Sequence, residues 1–151
     1  MIRNSDPLPA MSTSNIVVRS NQIESVSDEP IAAFGWEGLV ENVLIEQNTV
    51  QAQGASFGIT AYGHTDATQS GEIRGVEIIG NNIEGSRNGA IGVMGGAENV
   101  DIVNNQVEGT EEDGIFLDPG GDGLPAISNI TVSGISSINS DTKNPERSAD
   151  R

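Results

Sequence analysis

A phenol, an imidazole and a carboxylate stand close together in Tyr62-Gly63-His64-Thr65-Asp66, and His64 is the only histidine in the chain. Three such groups on one rim could move protons, one taking the proton from C5 of a sugar acid while another donates to the opposite face or to the leaving oxygen. That is lyase or C5-epimerase chemistry, and it makes Tyr62, His64 and Asp66 the catalytic candidates. A second cluster, Asp118-Pro119-Gly120-Gly121-Asp122-Gly123, follows Glu111, Glu112 and Asp113. Hard cations want several oxygens from a flexible turn, so Asp118 and Asp122 are candidate ligands for Ca2+, although the spacing is neither that of an EF-hand nor that of a nine-residue calcium repeat. Asp113, Asp118 and Asp122 also leave room for a hydrolytic carboxylate pair, whose separation sequence alone does not establish.

What must position these groups is a repeat. Segments opening at Asn15, Asn42, Gly75, Asn99 and Asn129 continue as Ile16-Val17-Val18, Val43-Leu44-Ile45, Val76-Glu77-Ile78, Val100-Asp101-Ile102 and Ile130-Thr131-Val132. The starts lie 27, 33, 24 and 30 residues apart, so length drifts in the loops while the apolar alternation keeps its register. Further along each copy come Asn21, Asn48, Asn81 and Asn105, then Ile23, Val50, Ile83 and Val107, then Ile31, Ile59, Ile91 and Ile115. Short alternating runs bounded by Gly, Asn and Ser are strands, and self-similarity at this period marks a solenoid. Each copy reads as one coil of three strands. The four Asn would stack into an amide ladder that supports the turns. The fifth copy carries Ile135 in the ladder position and reads as a last, incomplete coil.

This pattern resembles the right-handed parallel β-helix, or pectate-lyase-like, superfamily with its Asn-ladder turn, over Asn15 to about Ile138. The resemblance implies an all-β, right-handed, single-stranded parallel β-helix of about five coils of 24–33 residues. It speaks weakly to activity, because the same coil serves lyases, hydrolases, epimerases, tailspikes and adhesins. The rim around Tyr62 is similar to the Tyr, Asp and His rim of alginate epimerases, whose Asp-Pro-His-Glu run is absent here. In the enzymes that the fold resembles, the substrate groove follows the third strand of each coil. Such enzymes stack about twice as many coils.

All five aromatic residues, Phe34, Trp36, Phe57, Tyr62 and Phe116, fall on or within two residues of that third strand. With Ile59 and Ala61 inward, alternation sends Thr60 and Tyr62 outward, and likewise Ala32 and Phe34, Gly92 and Met94, Phe116 and Asp118. Stacking then aligns Phe34, Tyr62, Met94 and Asp118 in one exposed column beside Ala32, Thr60, Gly92 and Phe116. Phe57, two positions before an inward Ile, reads as core. Aromatic faces beside carboxylates suit sugar rings, so Phe34, Trp36, Thr60, Arg87, Met94 and Phe116 are the substrate-binding candidates and a polysaccharide is the expected partner. Arg74 and Arg87 are the cations within reach.

The chain has 151 residues, enough for one domain: an extension or cap at 1–14, the β-helix at 15–139 and a polar tail at 140–151. Nineteen Gly and 3% aromatic residues suit tight turns around an aliphatic interior. There are no cysteines, hence no disulfide framework. Twenty-two acidic against seven basic residues leave a net charge of −15, which excludes nucleic acid and anionic membranes as partners. No apolar run reaches the length of a membrane span, and the start shows no signal peptide. The resemblance nevertheless points to the exterior, at a cell surface or on a virion. The competing expectation is a structural or assembly solenoid, because open ends expose unpaired strands through which copies could associate.

Overall fold

The computed structural model describes residues 11–24, 28–36, 38–63, 71–119 and 126–138. Fourteen strands in these segments build a parallel β-solenoid, with no α-helix among the described residues. The first turn comprises β1 (Met11–Arg19), β2 (Gln22–Glu24) and β3 (Ile31–Gly35). The second comprises β4 (Gly38–Glu46), β5 (Thr49–Gln51) and β6 (Phe57–Gly63). The third comprises β7 (Glu72–Ile79), β8 (Asn82–Glu84) and β9 (Gly89–Met94), and the fourth β10 (Ala97–Val103), β11 (Gln106–Glu108) and β12 (Asp113–Leu117). A fifth begins with β13 (Ser128–Ser133) and β14 (Ser136–Ile138). Successive turns stack into three sheets: sheet A from β1, β4, β7, β10 and β13, sheet B from β2, β5, β8, β11 and β14, and sheet C from β3, β6, β9 and β12.

The register is the one that the repeat dictates. Val43, Val76 and Val100 stack in one inward column of sheet A, with Ile45, Ile78 and Ile102 in the next. Val50, Ile83 and Val107 repeat this in sheet B, and Ile59 with Ile91 in sheet C. All are essentially buried. Removing such a side chain from water stabilises by roughly 1.5–3 kcal/mol, so the core is a bundle of aliphatic columns rather than an aromatic cluster.

The residues heading the copies have a backbone role. Asn15, Asn42, Gly75, Asn99 and Asn129 all adopt left-handed φ, between 53° and 63°. They bend each strand of sheet A in mid-course, and the strand pairing steps over Asn15, Asn42, Gly75 and Asn99. Asn tolerates this conformation better than other residues with a Cβ, and Gly adopts it freely. A second left-handed column, Ser20, Gln47, Gly80, Asn104 and Gly134, turns sheet A into sheet B immediately before the ladder position. Because sheet A strands have a leg ahead of the bend, β1 starts at Met11, inside the segment expected to be an extension.

The ladder itself forms. Asn21 donates to Asn48, Asn48 to Asn81 and Asn81 to Asn105, each through both the backbone N–H and Nδ2 to the next Oδ1, at 2.9–3.0 Å. Asn48, Asn81 and Asn105 are buried. Their remaining amide protons reach backbone carbonyls of Val18, Ile45 and Ile78, which stitches the turns across coils.

Candidate functional site

Sheet C carries Phe34, Phe57, Tyr62 and Phe116, and Trp36 follows one residue past the end of β3. The pairing aligns Phe34 with Tyr62 and Tyr62 with Met94, and the N–H of Asp118 donates to the Val93 carbonyl at 2.9 Å, one step along from Met94. The column Phe34, Tyr62, Met94, Asp118 therefore exists as alternation required, with Ala32, Thr60, Gly92 and Phe116 beside it. A glycine follows Phe34, Tyr62 and Met94 in every case: Gly35, Gly63 and Gly95. Their purpose is visible at the corner into sheet A. A Cβ on Gly63 would lie 2.8 Å from the Gly96 carbonyl oxygen, and one on Gly96, itself left-handed at φ 75°, would lie 2.9 Å from that of Gly63. The chains pass too close for a side chain, and this tight corner fixes the column at the edge of the sheet.

Within the column the rings of Phe34 and Tyr62 stack, centroids 5.0 Å apart and planes 20° from parallel. Trp36, just past the corner, meets Phe34 at 5.4 Å and a 52° tilt. Phe34 is 39% exposed, Trp36 is 48% exposed and Tyr62 is half-buried. The rings of Phe34 and Tyr62 thus stack face to face, and the indole of Trp36 tilts against Phe34. Met94 is half-buried at the next level.

The neighbouring column differs from the expected exposed stripe. Thr60 is 3% exposed, and Phe57 lies outside the core cluster although only 6% exposed. Its ring packs over Gly92, where a Cβ would come within 3.0 Å of it, and against Phe116 at 5.5 Å. Gly92 is the strand neighbour of Thr60, so the ring packs on the column to which Thr60 belongs. The cause is a break in the alternation. Gly58 faces Ile83 and Ala52 in the interior, Ile59 follows it inward, and the pairing steps over Gly58. Two consecutive inward positions throw Phe57 to the outside. Phe57 and half-buried Phe116 form a closed outer patch, leaving Phe34, Trp36 and Tyr62 as the open one.

The charged candidates are dispersed. Arg87 is exposed at the corner between sheets B and C, its guanidinium 4.0 Å from where a Cβ of Gly54 would be. Arg74 sits on sheet A, bonded to Glu72 and, at 3.1 Å, to Glu98. Arg19 pairs with Glu46 on the same sheet. Asp118 ends the aromatic column and is half-buried. His64, Asp66 and Asp122 lie outside the described residues, so of the catalytic rim only Tyr62 has a place, and of the two calcium candidates only Asp118. Among the described residues no three His, Cys, Asp or Glu side chains gather in a way that could hold a metal ion, and no helix is long and apolar enough to cross a membrane.

Asp28 and Glu29, just ahead of β3, are the carboxylates that perturb one another. The side chain of Glu29 and then its backbone N–H, 3.1 Å from the Asp28 carboxylate, hold Asp28 below its usual range. The same side-chain bond, with partial burial, holds Glu29 above its own.

A scan against family models, a search of curated proteins and a search of solved structures each return no match to this chain.

Proposed function

We propose that this chain is a carbohydrate-binding β-solenoid module, which presents the open aromatic edge of sheet C to a polysaccharide. The observation that carries this reading is the contiguous set Trp36, Phe34 and Tyr62, with ring centroids 5.4 and 5.0 Å apart, Trp36 and Phe34 exposed and Tyr62 half-buried. Exposed aromatic side chains in contact are costly to leave in water, and ring faces are what the C–H faces of sugars pack on. The repeat's resemblance to the pectate-lyase-like superfamily, whose groove follows the corresponding strand, supports the same face. The proposal is one of binding, since proton transfer would need His64 and Asp66 in place beside Tyr62. A glycan array read with the intact chain and with Trp36→Ala tests it: retention of soluble glycans by the first and their loss by the second is the expected result. Equal profiles would remove the aromatic edge from the argument.

A second reading, assembly through the solenoid ends, has its own observation. Leu117 and Val132 follow the inward pattern yet are 42% and 43% exposed, and among the described residues no strand stacks above them. The depression there, about 460 Å3, is lined by Val107, Ile115, Val132 and Ile135 among others. Light scattering coupled to size exclusion across a range of concentrations decides whether copies associate by it.

A further inference from the structure

We propose that the open edge of β12 binds an extended, basic segment of a partner protein, which adds to sheet C as a fifth strand, independently of the aromatic edge. The step at the end of the stack carries this. Among the described residues sheets A and B each hold five strands and sheet C holds four, so β13 and β14 stand one strand spacing, about 4.8 Å, beyond β12. The slot beside them has the width of a single strand. Stacking another solenoid end to end leaves it open, because β1, β2 and β3 make the opposite end level. Residues 139–151 do not match it, since they contain no Val, Ile, Leu, Met or aromatic side chain to turn inward.

The side chains that such a strand needs follow from the register. Ile31, Ile59, Ile91 and Ile115 form one inward column of sheet C, and Ala33, Ala61, Val93 and Leu117 form the other. Both columns end at β12. Leu117 is 42% exposed, and Ile115 lines the depression of about 460 Å3 together with Val107, Val132 and Ile135. A strand laid on β12 sets two alternate residues over Ile115 and Leu117, so apolar side chains at i and i+2 enter the depression while the backbones pair. Charge selects the rest of the sequence. Glu111, Glu112 and Asp113 are exposed where β12 begins, and Glu112 and Asp113 line the depression itself, which no described lysine or arginine does. A segment with lysine or arginine flanking its apolar pair complements this rim, and an acidic one is repelled.

The test titrates the full chain into a labelled peptide, Lys-Lys-Ser-Ile-Thr-Val-Thr-Gly, and follows fluorescence anisotropy. Its controls are the same peptide with Glu-Glu in place of Lys-Lys, a shuffled peptide with Ile and Val adjacent, and two peptides N-methylated along one backbone edge or the other. The basic alternating peptide should bind. The acidic and shuffled ones should bind about tenfold more weakly or worse, and the gap between basic and acidic should narrow as salt is added. One N-methylated version should lose binding and the other keep it, because a strand added at the end of a sheet pairs through a single edge. Leu117→Lys, at an exposed position, should weaken the basic peptide about tenfold or more, and Glu112→Gln should reduce its salt dependence; circular dichroism checks that both variants fold. The proposal is overturned if the acidic peptide binds as tightly as the basic one at low salt, if both N-methylated peptides bind as the parent does, or if the folded chain binds none of them. It is overturned as well if light scattering shows a dimer that Leu117→Lys separates, since the occupant is then a second copy.

Discussion

Asn81 Oδ1 accepts two hydrogen bonds from Asn48, one from its backbone N–H at 3.0 Å and one from Nδ2 at 2.9 Å, and both residues are 1% exposed. Asn81 also donates to the Ile45 carbonyl at 2.9 Å and to Asn105. Truncating it orphans several buried groups at once, and each unsatisfied group costs roughly 1–3 kcal/mol. Asn81→Ala should therefore lower the unfolding free energy by about 3 kcal/mol in urea titrations. Asn21→Ala, at the exposed foot of the ladder, should cost about 1 kcal/mol or less. Equal losses would mean that the buried middle of the ladder contributes no more than its end.

The left-handed column makes a different demand. Asn99 has φ 56° and its Oδ1 accepts from Asn129 Nδ2 at 3.0 Å in an exposed setting. Gly75, the one glycine in this column, shows that the backbone, and not the amide, is the fixed requirement. Asn99→Gly should thus stay within about 0.5 kcal/mol of the parent. Asn99→Val, whose branched Cβ resists this region, should cost roughly 1–3 kcal/mol. The difference in thermal midpoint between the two variants reads the conformational strain directly.

These two columns show what the sequence makes legible. Apolar alternation and the recurring Asn21, Asn48, Asn81 and Asn105 specify coils, register and ladder, because period two leaves one choice of inward face once a core must be buried. Asn15, Asn42, Asn99 and Asn129 are visible as anchors of the repeat, yet the bend they make is hidden, since Asn serves turns of many geometries. The aromatic column could be found by counting outward from Ile59, with the Gly after Phe34, Tyr62 and Met94 as a further signal. Phe57 could not. The same counting puts it inside, and the interruption at Gly58 depends on how Ile83 and Ala52 fill the neighbouring corner.

The Asp28 and Glu29 pair should titrate apart. The hydrogen bond between their side chains holds Glu29 above its ordinary value and Asp28 below its own. A raised carboxyl favours the folded state below its unfolded pKa, and that contribution is lost as pH rises through the folded value. A depressed one acts in reverse, contributing above its unfolded pKa and fading as pH falls through the folded value. The two oppose each other across the ordinary carboxylate range, and Asp28 is fully exposed, so stability should change little there on their account. The pair itself is read by following carboxyl carbon shifts by NMR. Asp28→Asn should bring the Glu29 midpoint down, and an unmoved midpoint would show that the side-chain bond is not its cause.

The two aromatic patches should separate stability from binding. Phe57 is almost fully buried between Gly92 and Phe116, so Phe57→Ala leaves a cavity on the outer face and should cost about 3 kcal/mol or more. Its ring packs on Gly92 and Phe116, and any glycan bound at the open edge should be retained at temperatures where the variant remains folded. Tyr62 is only half-buried and its ring stacks on Phe34, so Tyr62→Ala should cost at least about 1 kcal/mol, the scale of one aromatic pair. Its effect should appear in binding, since it removes the ring that links Phe34 to Met94 along the axis. Gly92→Ala supplies the internal control. Its Cβ would press on the Phe57 ring at 3.0 Å, so it should destabilise by overpacking, roughly 1–3 kcal/mol, and leave the Phe34, Trp36 and Tyr62 edge alone. Urea titrations paired with calorimetry on all three variants check the division. If Tyr62→Ala unfolds the chain while Phe57→Ala is mild, the roles of the two patches are reversed, and the face that meets a ligand must be sought around Phe57 and Phe116.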